Sequence, residues 1–159
     1  AGIAEAGWAA KQSPEKIQYL FSVNFIGMIH LFSPIIPLLI EQKQGHLVGI
    51  VSIAGYRGLP ALSAYAASKA AMSSFTRSMA KEFGPSGIRV NSVCPGMIDT
   101  LFHDRFTADE VRANFEATVP LRRQGRSEDV AELVFFLATE KASFITGANY
   151  DINGGAILS

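Results

Sequence analysis

Tyr65 and Lys69 stand four residues apart in the segment Leu62-Ser63-Ala64-Tyr65-Ala66-Ala67-Ser68-Lys69-Ala70-Ala71, which reads as the first turns of a helix. That spacing stacks a phenol and an ammonium on one helical face. A cation held beside a phenol favours the phenolate, so the Tyr65 pKa is expected to fall from about 10 toward working pH. A phenol tuned this way exchanges a proton with a hydroxyl or carbonyl oxygen. The pair alone is weak evidence, because Tyr-x-x-x-Lys on a helix is commonly a solvated face.

Two further residues strengthen it. Ser52 lies thirteen positions before Tyr65, just past the apolar run 45–51, which reads as a buried strand. Asn24 lies twenty-eight positions before Ser52, inside a long apolar helical stretch. A strand-end serine, then the glycine-bearing loop 54–60, then a helix makes a plausible active-site edge. Ligands of open α/β sheets bind outside the carboxyl ends of the strands.

Asn24, Ser52, Tyr65 and Lys69 at these spacings closely resemble the catalytic tetrad of the short-chain dehydrogenases/reductases. Pro95-Gly96-Met97-Ile98-Asp99-Thr100 resembles that family's Pro-Gly-x-x-x-Thr segment, which cradles the nicotinamide. Ile145-Thr146-Gly147 and Asp151-Ile152-Asn153-Gly154-Gly155 are similar to the family's last strand and its exit. Ala1-Gly2-Ile3 resembles the tail of the Asn-Asn-Ala-Gly segment that ends its fourth strand. The likeness runs the length of the chain and is closest to the branch holding 3-oxoacyl-carrier-protein reductases and sugar or polyol dehydrogenases.

The resemblance implies a Rossmann-like, doubly wound parallel sheet and a single domain over 1–159. It also implies an NAD(P)-dependent oxidoreductase that interconverts a carbonyl and a secondary alcohol by hydride transfer. Tyr65 would carry the proton and Ser52 would bond the reacting oxygen. Lys69 would lower the phenol pKa and bind the nicotinamide ribose, and Asn24 would interrupt its helix and hold a water against the lysine. NAD or NADP would lie against Ala1, Gly2, Tyr65, Lys69, Pro95, Gly96, Ile98 and Thr100. The substrate would be a small carbonyl or alcohol, or an acyl thioester. A homo-oligomer, tetramer or dimer, is expected, because the family packs the Tyr65 helix and the long apolar helix against their copies.

The family's glycine-rich phosphate loop and N-terminal strands have no counterpart ahead of the tetrad. Three strand-plus-helix units of roughly 30 residues would account for about 90 residues. Two readings stay open: part of a longer reductase, or a genuine fragment that is catalytically inactive and serves as an oligomerisation or structural unit.

Composition agrees with a folded α/β domain. At 159 residues and 48% hydrophobic content, one core is expected. Formal net charge is +0 and no basic run occurs, so a nucleic-acid partner is not suggested. His30, His46 and His103 show no metal-ligand spacing with Cys94 or with carboxylates, and no metal site is expected. Cys94 reads as a buried structural thiol. No signal peptide is evident, and a cytoplasmic home is expected. The twenty-four residues 17–40 carry no Lys, Arg, Asp or Glu and are long enough to span a bilayer. Gln18, Asn24, His30, Pro34 and Pro37 argue instead for a helix buried between sheet and partner subunit, and no membrane is expected.

The element order expected is a strand end at 1–3, a helix over 14–41 capped by Ser13, and a strand to about 52. The Tyr65 helix then runs to about 83, where Gly84-Pro85 stops it, and a strand covers 88–94. A short helix lies within 101–126, with Thr107 and Glu110 as a capping box. A helix from 127 and a short strand over 148–152 close the chain. Phe102, His103, Phe106 and Phe115 lie where the family has a mobile substrate lid. Arg122-Arg123-Gln124-Gly125-Arg126 reads as a solvated loop, or as a site for an acidic carrier protein or a substrate carboxylate, and Arg57 is a similar candidate.

Overall fold

In a computed structural model, which describes residues 2–157, three parallel strands in the order β1-β2-β3 form one sheet. They are β1 (Gly45–Ile50), β2 (Ile88–Pro95) and β3 (Asn149–Ile152). β1 pairs with β2 from Gly45↔Ile88 to Ile50↔Val93, and β2 with β3 from Ser92↔Asn149 to Pro95↔Ile152. Parallel neighbours require helical crossovers, and each crossover covers one face of the sheet.

The first crossover is α4 (Ala54–Arg57) followed by α5 (Ser63–Phe83). Leu47, Val51, Val90 and Cys94 point to this side and pack with Met72 and Met79 of α5. The second crossover holds α6 (Leu101–Phe106), α7 (Asp109–Thr118) and α8 (Ser127–Ala138). Val93 points the other way, into a second core with Leu137 of α8 and Ala142. Successive side chains of a strand face opposite ways, so Val93 and Cys94 serve separate cores. The doubly wound α/β class expected from the sequence is the class observed.

The apolar stretch at the N-terminal side is divided rather than continuous. It runs as α1 (Pro14–Phe21), a π-helical turn at Ser22–Ile26, α2 (Gly27–Phe32) and α3 (Ile36–Gln42). Ser13 caps α1 as expected, its hydroxyl accepting the Lys16 N–H at 3.3 Å. Pro34 and Pro37 each lack an N–H, which interrupts the ladder between α2 and α3. The inner face carries Met28 and Phe32 into the core, and Phe25 meets Phe75 of α5 edge to face at 5.7 Å. Tyr19, Leu31 and Leu38 stay exposed. By length and composition alone, Pro14–Gln42 is apolar enough to cross a membrane.

Four other local expectations are corrected. Gly2 and Ile3 are not in a strand; Ile3 is held by a side chain instead, as described below. The loop after Ser52 turns through α4, because Gly55, Tyr56 and Arg57 send their N–H groups back to Ser52 and Ile53. The segment after Thr100 forms two helices, not one. No capping box forms at Thr107, whose hydroxyl is engaged with His103 Nδ1 at 2.8 Å, and α7 begins after Ala108.

One turn shows why its residue must be glycine. Gly87, between α5 and β2, has φ +77°, and a Cβ there would collide with the Lys43 carbonyl oxygen.

Candidate active site

The carboxyl ends of the three strands come together at one edge of the molecule. Val51 and Ile53 continue past β1 by donating to the Val93 and Pro95 carbonyls at 2.8 and 3.2 Å. Ser52, between them, is thereby fixed with its hydroxyl at the sheet edge, where it accepts the Ala54 N–H at 3.1 Å. α5 starts at Ser63, so Tyr65 and Lys69 lie in its first two turns, facing that edge.

Lys69 is 5% exposed. Its ammonium donates to the Ile50 carbonyl at 3.0 Å and sits 5.9 Å from the centre of the Tyr65 ring. Burial lowers its pKa from 10.5 to about 8, against a smaller opposing effect from Cys94. Burial pushes the Tyr65 phenol up from its ordinary value, and interaction with the Ser52 side chain opposes that. This corrects the expected fall in the phenol pKa. Helical spacing brings the two residues to one face, but the ammonium turns to a β1 carbonyl, and desolvation of the phenol wins.

Asn24 sits in the π-helical turn and is 3% exposed. Its Oδ1 accepts the Ile3 N–H and its Nδ2 donates to the Ile3 carbonyl, both at 2.9 Å. Nδ2 also donates to the Ser68 hydroxyl at 3.2 Å, and that hydroxyl donates to the Tyr65 carbonyl at 2.7 Å. A hydrogen-bonded chain therefore joins Ile3, Asn24, Ser68 and the backbone of Tyr65. Ser68 was not singled out from the sequence. Its signal was its position three residues after Tyr65, on the same helical face.

The structure brings Gly2 to this place too. A Cβ on Gly2 would lie 3.5 Å from Asn24 Oδ1 and 3.9 Å from Lys69 Nζ. Ala1 lies outside the described residues. Pro95 ends β2, and Gly96 donates to the Ile152 carbonyl at 3.0 Å. A Cβ on Gly96 would come within 2.9 Å of Asn153 Cα, so this close approach of two chains needs glycine. Ile98 forms a parallel bridge with Gly125, and the Thr100 hydroxyl donates to the Ile98 carbonyl at 3.3 Å, just before α6.

α6 closes over the phenol. Phe102 lies 6.2 Å from the Tyr65 ring and 5.0 Å from Phe106, with His103 packed edge-on at 5.3 Å. Phe115, on α7, makes no aromatic pair with them among the described residues. Arg112 of α7 holds this arrangement, bonding Asp99 at 2.6 Å and Asp104 at 2.7 Å. A cleft of about 440 Å³ opens between α6 with its exit and the segment around Glu5.

Beside this edge, sequence reasoning also missed the hydroxyl of Tyr56 donating to the Asp151 carboxylate. Burial and the neighbouring anion hold the Tyr56 pKa far above its usual value. Cys94, one register position from the strand end, is buried, and burial raises its thiol pKa. Of the basic cluster, Arg123 is consumed by Asp129 at 2.7 Å. The Asp129 carboxylate also accepts the Arg126 N–H at the start of α8.

A buried lysine, a phenol and a strand-end hydroxyl at one edge can move a proton to or from a substrate oxygen. Residues 1–156 match the family model described as enoyl-(acyl carrier protein) reductase. The chain is 33% identical over 158 residues to a 3-oxoacyl-[acyl-carrier-protein] reductase of Thermotoga maritima, covering 99% of this chain and 64% of that protein. It therefore spans under two thirds of that relative's length. Its structure is similar to 4-hydroxyisoleucine dehydrogenase complexed with NADH, with a TM-score of 0.91 and 32% identity, covering 98% of this chain and 65% of the other. It is also similar to a putative NAD(P)-dependent gluconate 5-dehydrogenase of Beutenbergia cavernae with bound NADP, with a TM-score of 0.94 and 30% identity over 98% and 63%.

Proposed function

The chain belongs to the short-chain dehydrogenase/reductase family, and from that premise we propose that it is the catalytic part of an NAD(P)-dependent reductase. The reaction interconverts a carbonyl and a secondary alcohol. The observation that carries the reading is the buried Lys69 ammonium, 3.0 Å from the Ile50 carbonyl and 5.9 Å from the centre of the Tyr65 ring, at the strand end that carries Ser52.

In the reducing direction the Tyr65 phenol gives its proton to the carbonyl oxygen as the carbon gains hydride. The Ser52 hydroxyl donates to the same oxygen, where negative charge develops. The raised phenol pKa keeps the proton on Tyr65 until that charge appears. Lys69 supplies positive charge beside the phenol, and its pKa near 8 lets it exchange a proton with its surroundings at neutral pH. Asn24 positions the Gly2–Ile3 segment and, through Ser68, the first turn of α5. Phe102 and Phe106 exclude water above the phenol.

A nicotinamide cofactor, when bound, supplies or accepts the hydride. Gly2, Tyr65, Lys69, Pro95, Gly96, Ile98 and Thr100 would hold it, with Ala1 next to Gly2. The Lys69 ammonium, set at the strand ends beside the Gly2 backbone, is a donor suited to the ribose hydroxyls of such a group. The substrate is a small carbonyl compound or an acyl thioester. Residues 1–159 form one domain of a cytoplasmic protein, and a second copy covers the exposed apolar side of α1–α3.

Tyr65→Phe tests the reading. NAD(P)H oxidation by a carbonyl panel should fall by about 10²-fold or more, with an unchanged unfolding transition. Near-normal turnover in that variant would overturn it.

A further inference from the structure

We propose that the substrate carries an anionic group remote from its carbonyl and that Arg105 binds it; this rests on the reductase reading above. The cleft of about 440 Å³ between the end of α6 and the segment around Glu5 has three charged side chains in its lining, Glu5, Asp104 and Arg105. Two of them are already neutralised. Glu5 is paired with Lys16, and Asp104 receives Arg112 at 2.7 Å. Arg105 makes no ion pair or side-chain hydrogen bond among the described residues. The cleft therefore presents one uncompensated cation.

Its position gives that cation a use. Arg105 lies next to Phe106 on α6, and Phe106 packs on Phe102, which packs on the Tyr65 ring. An aromatic wall thus leads from the guanidinium to the proton-transferring phenol. A substrate with its carbonyl at Tyr65 and Ser52 would lay an apolar spacer along Phe102 and Phe106. Its far end would reach Arg105. A guanidinium offers paired donors in a fixed plane, which match the two oxygens of a carboxylate or those of a phosphate.

The test is steady-state NAD(P)H oxidation by the full-length protein with 5-oxohexanoate and its methyl ester, in wild type and Arg105→Gln. Pantetheine 4′-phosphate and pantetheine thioesters of 3-oxobutanoate form a second matched pair. Expected is a kcat/KM for the anionic member roughly tenfold or more above its neutral partner, the scale of a charge-assisted hydrogen bond. In Arg105→Gln that preference should vanish through KM, with the neutral member unchanged. Whichever pair shows the preference identifies the anion as carboxylate or phosphate. Equal turnover of both members of each pair by wild type, or equal losses for both in the variant, would overturn the proposal and leave the reductase reading standing. Calorimetric binding of 5-oxohexanoate in the presence of NAD⁺ or NADP⁺ separates the remaining case. Binding lost in Arg105→Gln without turnover by wild type supports the anion site and removes the reductase reading. No turnover and no binding removes both.

Discussion

The carboxamide of Asn24 holds both peptide groups of Ile3, accepting from the N–H and donating to the carbonyl, each at 2.9 Å. These two residues are twenty-one positions apart, and the contact joins the start of the chain to the helical layer. It takes the place of the strand pairing that the backbone of Ile3 otherwise lacks.

Asn24→Ala should therefore destabilise the fold by about 2–3 kcal/mol, because it strands one donor and one acceptor of Ile3 and frees the Ser68 hydroxyl. Asn24→Asp keeps the acceptor but loses both donations, and should fall between the two. Urea unfolding of the three proteins checks the order. If Asn24→Ala unfolds at the wild-type midpoint, the clasp contributes nothing to stability.

Lys69 should show the opposite sign. Its folded pKa, about 8, lies below its ordinary 10.5. Below about pH 8 the buried ammonium is protonated in both states and its desolvation weakens the fold in full. Between pH 8 and 10.5 the folded state releases a proton the unfolded state keeps, so stability attributable to this residue rises with pH. The shift corresponds to about 3 kcal/mol, less about 1 kcal/mol for the lost bond to the Ile50 carbonyl. Lys69→Met should thus be more stable at pH 7 by about 2 kcal/mol while losing turnover. A variant less stable than wild type at pH 7 would refute the burial cost.

How far the sequence disclosed the site depended on whether a feature was local. Spacing along one helix placed Tyr65 and Lys69 together, and the apolar run 45–51 placed Ser52 at a strand end. An interruption of the helix at Asn24 was implied by the family resemblance, but its partner, Ile3, was not, because it comes from outside the helix. The division of the apolar helix was signalled by Pro34 and Pro37, yet hydropathy outweighed it. The phenol pKa went the other way because packing buries the Tyr65 ring, which the spacing along one helix does not disclose. Thr107 and Glu110 had the spacing of a capping box, but His103, one turn earlier, took the hydroxyl. Asn24 and the phenol were decided by tertiary packing, whereas at Thr107 one local contact displaced another.

His46 gives the fold a weakness in acid. It lies on β1 with both ring nitrogens buried and unpartnered among the described residues. Burial, with a further push from Arg89, lowers its pKa from 6.5 to about 4. Between these values the unfolded state takes up a proton that the folded state refuses, so stability falls as pH drops from 6.5 toward 4 and this loss ends there. His46→Leu should flatten that limb of a thermal-melt profile against pH. Parallel profiles for the two proteins would show that the imidazole does not control it.

Arg112 governs both the lid and the free charge beside it. Its guanidinium binds Asp99 before α6 and Asp104 within it, so Arg112→Ala should loosen α6 from α7. Amide exchange over 101–106 should speed up, and KM for the carbonyl substrate should rise several-fold with a smaller change in kcat. A second consequence follows from adjacency. Without Arg112, the Asp104 carboxylate is left beside Arg105 and competes for its guanidinium. The preference for an anionic substrate should then shrink, although Arg105 itself is intact. Adding Asp104→Asn to Arg112→Ala removes the competitor and should restore the preference while leaving the lid loose. If the double variant regains neither preference nor affinity, Arg112 acts on substrate by some route other than sequestering Asp104.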